Sequence, residues 1–349
     1  MYTSIKEGIS MSVQSVGPFS NFKTNFNTTK QATTDPQIAQ DVAKDVSKNN
    51  KKTAAIIGGV AALAILGTGA LVAIKRHKVP NEIKTALNNF KETNEAANAL
   101  AQSAKKQADE VTEYAQRLFN EVSDLFKKGD EITPDGAVLR KIIGDGDDTC
   151  KFMQEFSEDG ALVRESRFTN GALDTIEEGI EKLSDGSRKT ARRFGFFEDG
   201  TLTDYQEGIE TFADESGKVA KNIIFKDGKP CLYQEGCETF ADLSGKIAKN
   251  VIFEDGKLSL YQEGVNQLAD LSDKVAKTIG FEEGKPSSYQ EGCETFTDLS
   301  GKIARIIGFE EGGIPRQYAK GVEYNPFDGL RKVAKGFELT DKGWKEISK

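Results

Sequence analysis

Apolar and polar positions alternate in three different ways along the chain. Residues 53–74 (TAAIIGGVAALAILGTGALVAI) carry no charge over 22 positions. From Ile83 to Leu125 apolar or small residues recur at strict 4-3 spacing, the stripe of a helix. Beyond about residue 131 the pattern changes to period two, broken by turn residues roughly every ten positions, which marks short strands. The three regimes predict a transmembrane helix, a long α-helix and a mainly β repeat array of tandem antiparallel hairpins.

At 1.5 Å per residue the first segment reaches roughly 33 Å as a helix, enough to cross a bilayer core. Lys51-Lys52 and Lys75-Arg76-His77-Lys78 close it off. It begins too far from Met1 for an ordinary cleaved leader and reads as an uncleaved single-pass anchor. Ala54, Gly58 and Ala62 give the spacing of close helix pairing. Lysines and arginines balance across the segment, so the side occupied by the C-terminal part stays open; the usual anchor topology leans it outside the cytoplasm. Residues 1–52, rich in Ser, Thr and Asn, read as a disordered tail.

The stripe over 80–128 starts at the N-cap candidate Asn81 and is stopped by Gly129 and Pro134. Six heptads make about 65 Å of helix. Its middle is Ala-rich, Asn94 falls on an a position, and Lys84, Lys91 and Lys105 lack opposite charges at e and g. Two readings stand: a coiled-coil stalk self-associating through 83–125, or one helix lying on the membrane or on the repeats. An apolar span, a short Pro-containing joint and a Lys/Glu-rich helix resemble small bacterial membrane proteins of the YtxH type over about residues 53–128.

The β part repeats itself. YQEGIETFADESGK at 205 returns as YQEGCETFADLSGK at 233, YQEGVNQLADLSDK at 261 and YQEGCETFTDLSGK at 289, a period of 28 that Ile176 and Tyr318 continue with steps of 29. FEDG-type loops at 197, 225, 253, 281 and 309 and Asp-x-Ser-Gly turns lie between. The first fits a three-residue hairpin loop with its Gly in the left-handed region; the second reads as a type I turn running from its Asp to its Gly. One unit is one β-hairpin, marginal alone and stabilised by its neighbours. Degenerate copies extend the array over about 131–344, seven or eight hairpins, with 345–349 as a tail.

With such a loop Phe225 faces Lys229, and Lys221 lies opposite Tyr233 and diagonal to Glu235. Strict alternation puts Tyr233, Glu235 and Cys237 on one face. Tyr205, Tyr233, Tyr261, Tyr289 and Tyr318 then form a surface ladder with Glu207, Glu235, Glu263, Glu291 and with Lys221, Lys249, Lys277 and Arg305. Gly208, Gly236, Gly264, Gly292 and Gly321 stand mid-strand, where glycine marks a bulge or a close approach. Gly closing a turn and an aromatic-x-x-Gly in the return strand resemble MORN-type and YwqK-like repeat proteins. The resemblance implies extended hairpin arrays used for binding or scaffolding and assigns no residues; the period of 28 and a single tryptophan, Trp344, depart from the MORN pattern.

Charge narrows the function. Residues 1–128 hold 17 Lys+Arg against 12 Asp+Glu, net +5, and the rest 30 against 43, net −13. An acidic array repels phosphate backbones, which excludes nucleic acid as a partner. The basic part borders the apolar span, where it faces lipid headgroups. Cys237 and Cys293 replace Ile209 and Val265 of sister copies and read as small buried apolar residues; Cys231 and Cys237 are too far apart to bridge. His77 is the single histidine, so Ser-His-Asp and Cys-His schemes have no base. No phosphate loop or cofactor motif occurs. Asp145, Asp147 and Asp148 lack EF-hand spacing and read as an acidic turn rather than a Ca²⁺ site. Glutamates repeated in register beside Lys behave as a structural ladder, not as the paired acids of a glycosidase. The expectation is a non-enzymatic, membrane-anchored array presenting an acidic β-surface to a protein partner. The alternatives are a carbohydrate or cell-wall module stacking sugars on the tyrosines, and an enzyme acting through the Glu ladder.

Overall fold

The computed structural model describes residues 79–144, 149–310, 313–325, 330–340 and 342–347. The apolar segment 53–74, the tail 1–52 and the turn containing Asp145, Asp147 and Asp148 lie outside the described residues. Among the described residues no helix is long and apolar enough to cross a membrane.

Among the described residues one helix, α1 (Asn81–Lys128), precedes the strands. Pro80 takes the cap position and Asn81 is already helical; a proline's fixed φ and missing N–H suit that boundary without a side-chain cap. Gly129, with φ 79°, ends it as expected.

The strands run β1 (Glu131–Ile132), β2 (Val138–Gly144), β3 (Cys150–Phe156), β4 (Leu162–Thr169), β5 (Ala172–Lys182) and β6 (Arg188–Phe196). They continue as β7 (Leu202–Thr211), β8 (Gly217–Lys226), β9 (Lys229–Thr239), β10 (Gly245–Glu254), β11 (Lys257–Gln267) and β12 (Asp273–Glu282). The last are β13 (Lys285–Thr295), β14 (Gly301–Glu310), β15 (Ile314–Asn325), β16 (Leu330–Thr340) and β17 (Gly343–Ile347). Each pairs antiparallel with the next in one 17-stranded sheet. The array thus runs past Trp344 into the expected tail, because Leu339 faces Trp344 and Gly336 faces Ile347.

The turns differ from their expected form. Gly200 does close a three-residue loop. In the later copies Asp227-Gly228 and Asp255-Gly256 both have positive φ, a two-residue type I′ turn that matches strand twist better. Phe225 therefore faces Pro230 across a bulge, Lys221 faces Glu235 directly, and Ile223 faces Tyr233. The other turn centres on Ala241-Asp242. Leu243 N–H donates to the Phe240 carbonyl, and the Asp242 carboxylate accepts from Ser244 N–H and Oγ–H.

Face alternation also breaks. Tyr233 and Glu235 face α1, yet Cys237 bonds Gln234, three positions back, and packs with Val219, Ile247 and Val265 in a separate apolar layer. The switch occurs at Gly236, whose φ of 62° resets the pleat. Below it lies a row that sequence reading missed: Asn222 donates to Gln234 and Asn250 to Gln262, both at 2.9 Å. The identical Gln of each YQEG was its signal. Burial pushes the Cys237 and Cys293 thiols up to about 12, as fits inert packing residues.

The stripe of α1 lies on the sheet. Ile83, Leu87, Ala97, Ala101, Ala104, Ala108, Val111, Leu118 and Val122 share one core with Ile223, Phe225, Val251, Phe253 and the tyrosines. The chain thus realises the lone-helix reading, on the repeats; the surface expected to pair with a second helix is occupied by the chain's own strands. Strand spacing explains the periodicity. Strands about 4.8 Å apart correspond to about 3.2 helical residues, close to the 3.5 of a heptad stripe. Asn89 meets Glu291 on β13 and Tyr114 meets Glu178 on β5, roughly 25 helical residues for four hairpins, about 6.3 each. Ala fills the middle of α1 because Tyr233 and Tyr261 fill the sheet beneath it. Thr93 takes the buried slot assigned to Asn94, and Asn94 sits at the edge, accepting from Asn98.

Candidate functional site

Register places a single charge row across the sheet beneath α1. Arg140, Glu155, Arg164, Glu178, Arg192, Glu207, Lys221, Glu235, Lys249, Glu263, Lys277, Glu291 and Arg305 face one another strand by strand. Signs alternate along this row, so each cation up to Lys277 lies between carboxylates. Lys221–Glu207, Lys249–Glu235, Lys277–Glu263 and Arg305–Glu291 close to 3.3, 3.4, 3.2 and 2.8 Å. The expected residues are therefore brought together, in an order that differs from the expected one: Lys pairs with Glu, and Tyr stacks beside an aliphatic residue.

The tyrosine hydroxyls join the row. Tyr233 donates to Glu235 at 2.8 Å, Tyr261 to Glu263 at 2.6 Å, Tyr289 to Glu291 at 2.8 Å and Tyr205 to Glu207 at 3.3 Å. The four central rings, Tyr233, Tyr261, Tyr289 and Tyr318, are at most 1% exposed. Burial, reinforced by the neighbouring Glu, raises their phenol pKa values above the ordinary range. Tyrosines expected as sugar platforms lie instead under α1: Phe90 meets Tyr289 edge-on at 5.6 Å, and Gln107 lies within hydrogen-bond reach of both the Tyr233 hydroxyl and Glu207.

The carboxylates are equally committed. Burial opposes ionisation of Glu291, but hydrogen bonds from Asn89, Tyr289 and Arg305 outweigh it and hold its carboxyl below the usual range. A general acid needs the opposite shift. Among the described residues no group of three His, Cys, Asp or Glu side chains is placed to hold a metal ion.

The alternation ends at Lys320, which occupies the Glu position of the motif and faces both Arg305 and Lys335. Tyr318 accordingly lacks its usual acceptor, and its buried hydroxyl has no hydrogen-bond partner among the described residues. Helix α1 supplies the missing carboxylate: Glu82 reaches Lys335 at 2.8 Å and Lys320 at 3.9 Å. At the other end Arg164 meets Glu121 and Arg140 donates to the Gly129 carbonyl. These contacts fix the direction of α1. Lys320→Glu is expected to make the first-turn amides of α1 exchange about three- to fivefold faster, the size of a partly exposed pair. Adding Glu82→Lys should restore part of the original rate, because it answers the new carboxylate at position 320 but not Lys335; an unchanged rate in Lys320→Glu would show that Lys320 does not anchor Glu82.

One copy carries a pH-sensitive departure. Asp273 stands where the others have Gly217, Gly245 and Gly301. Burial, with the nearby Asp270, raises its pKa to about 6. An unfolded carboxyl ionises near 4, so folding is penalised increasingly between about pH 4 and 6 and fully above, by about 1–2 kcal/mol after solvent screening. Asp273→Gly should raise the melting temperature at neutral pH and leave it unchanged near pH 4. Equal gains at both would remove the carboxylate from the explanation.

Together the sheet, the ladder and the docked helix define a helix-covered β-hairpin repeat array. No protein-family model and no curated protein matches the sequence. Among solved structures the chain is similar to the GtfA/B complex, at 15% identity and a TM-score of 0.18, over 31% of this chain and 23% of that one. It is also similar to an S. aureus TarM mutant in complex with fondaparinux, alpha-GlcNAc-glycerol and UDP. That match has 14% identity and a TM-score of 0.11, over 48% of this chain and 21% of that one. The chain thus spans under a quarter of the length of either.

Proposed function

We propose that the chain is a non-enzymatic scaffold, anchored in a membrane through residues 53–74, whose acidic hairpin array presents a protein-binding surface. The supporting observation is the state of the Tyr–Glu–Lys row. The Glu and Lys or Arg groups of the row are paired with one another and the tyrosine rings are covered by α1, which suits holding the array straight. Regularly repeated outer positions remain for a partner, the use that the resemblance to MORN-type and YwqK-like arrays implies. The net −13 of residues 129–349 favours a basic partner.

Capture from membranes by the full chain tests this. A basic protein retained at low salt and released at high salt is expected. Retention that ignores salt, or turnover of a small molecule by the full chain, would overturn it.

A further inference from the structure

Both edges of the array consist of turns, and the two differ in chemistry. One edge in the central copies is charged: Lys226-Asp227-Gly228-Lys229, Glu254-Asp255-Gly256-Lys257 and Glu282-Glu283-Gly284-Lys285. The other edge exposes Phe240, Leu243, Leu268, Leu271, Phe296 and Leu299, at 37, 64, 36, 62, 39 and 48% of their surface.

Three of these residues pay for their position in backbone strain. Leu243, Leu271 and Leu299 have φ of 67, 68 and 64°, a region that L side chains avoid. The same turn earlier on the same edge puts Gly136, Gly160 and Gly186 there, at 81 to 89°, and Glu215 at 67°. The strain thus begins one copy before the leucines, and only the three leucines add an exposed apolar side chain to it. Glycine would relieve the strain and remove exposed apolar surface, so folding does not account for leucine. A strained conformation repeated at an exposed apolar position points to a function outside the fold.

We propose that this edge docks a second copy of the chain, tip to tip. The tips recur every two strands, about 9.6 Å, and a row of that pitch is matched along its whole length by another of the same pitch. About a two-fold axis Leu271 meets its own counterpart and Leu243 meets Leu299, an isologous contact. The two outer tips carry both signs: Asp242 and Asp298 lie in the turns, while Lys246 and Lys302 sit over the Phe240 and Phe296 rings at 5.3 and 5.9 Å; the middle tip carries Asp270. That mixture complements itself, whereas turn aspartates would be repelled by an anionic lipid surface. Taking roughly 200 Å² for a fully exposed Leu or Phe, the six residues present on the order of 600 Å². Two copies together would bury on the order of 1,200 Å², the lower end for a specific interface. The proposal stands whether or not another protein binds the array.

The test uses the full chain in detergent with Leu271→Cys. Mild oxidation should give a disulfide-linked dimer well in excess of any formed by the parent chain, whose Cys150 and Cys237 are buried and whose Cys231 and Cys293 are half-buried. Adding Leu243→Gly and Leu299→Gly should reduce the dimer at least tenfold without lowering the melting temperature. The proposal fails if position 271 does not cross-link, or if Asp255→Cys on the charged edge cross-links equally. It also fails if the glycine pair leaves the yield unchanged or lowers the melting temperature, which would make the leucines packing residues. Transfer of a fluorophore at position 271 into phosphatidylcholine vesicles in place of dimer formation would assign the edge to lipid and overturn it too.

Discussion

Ala104→Glu is expected to release α1 from the sheet, at a cost of about 3–5 kcal/mol. Ala104 is fully buried in the core that joins the helix to the tyrosine layer, and a carboxylate there would have to be desolvated among apolar side chains. Helices in proteins owe most of their stability to packing of their apolar face, so undocking and loss of helix should coincide. Amide exchange in α1 should accelerate by a factor on the order of 10³. The phenols of Tyr233 and Tyr261, held above the ordinary range by burial, should titrate nearer to it. Ala104→Gly separates packing from propensity: it should cost about 1 kcal/mol and leave the phenols as they were. If Ala104→Glu melts like the parent chain, the helix does not depend on the sheet.

That dependence was only half legible in the sequence. Stripe and length of α1 were plain, because 4-3 spacing is a property of the helix alone. Its partner was ambiguous, because a heptad rise of about 5.2 Å per stripe residue is near both knobs-into-holes packing and the spacing of strands. Two signals favoured the sheet. Alanine at six buried positions is too small for a two-helix seam and suits a layer of tyrosines. Lys320, at a position where every central copy carries Glu, left a charge that only another element could answer, and Glu82 answers it.

The hairpins were legible for a different reason: each copy has to carry its own turn chemistry. Register within them was not. Asp-Gly is compatible with two-residue and three-residue loops, and the choice moves Lys221 from opposite Tyr233 to opposite Glu235. The face switch was hidden as well. Strict alternation carries Cys237 to the tyrosine side, and only the backbone at Gly236 returns it to the far layer.

Gly264 makes that switch testable by a double-mutant cycle. Its φ is 62°, and a Cβ added there would lie 3.0 Å from the Cβ of Ala276 on the neighbouring strand. Gly264→Ala therefore combines left-handed strain, about 1–2 kcal/mol, with overpacking of about 1–2 more. Ala276→Gly alone should cost no more than about 1 kcal/mol. In the double variant the contact is gone and the strain is not, so about half of the Gly264→Ala loss should return, read as a melting temperature between those of the parent and the single variant. Full recovery would mean that the glycine serves only the close approach, and no recovery that it serves only the conformation. Either would separate two effects that every central copy combines. The cost should also spread, because β10, paired to the other side of β11, carries Ala248 of the equivalent contact with Gly236. A switch that failed in one copy would turn Val265 toward the tyrosine side and leave Ile247 with only Cys237, and Val275 with only Cys293, as cross-strand neighbours in that layer.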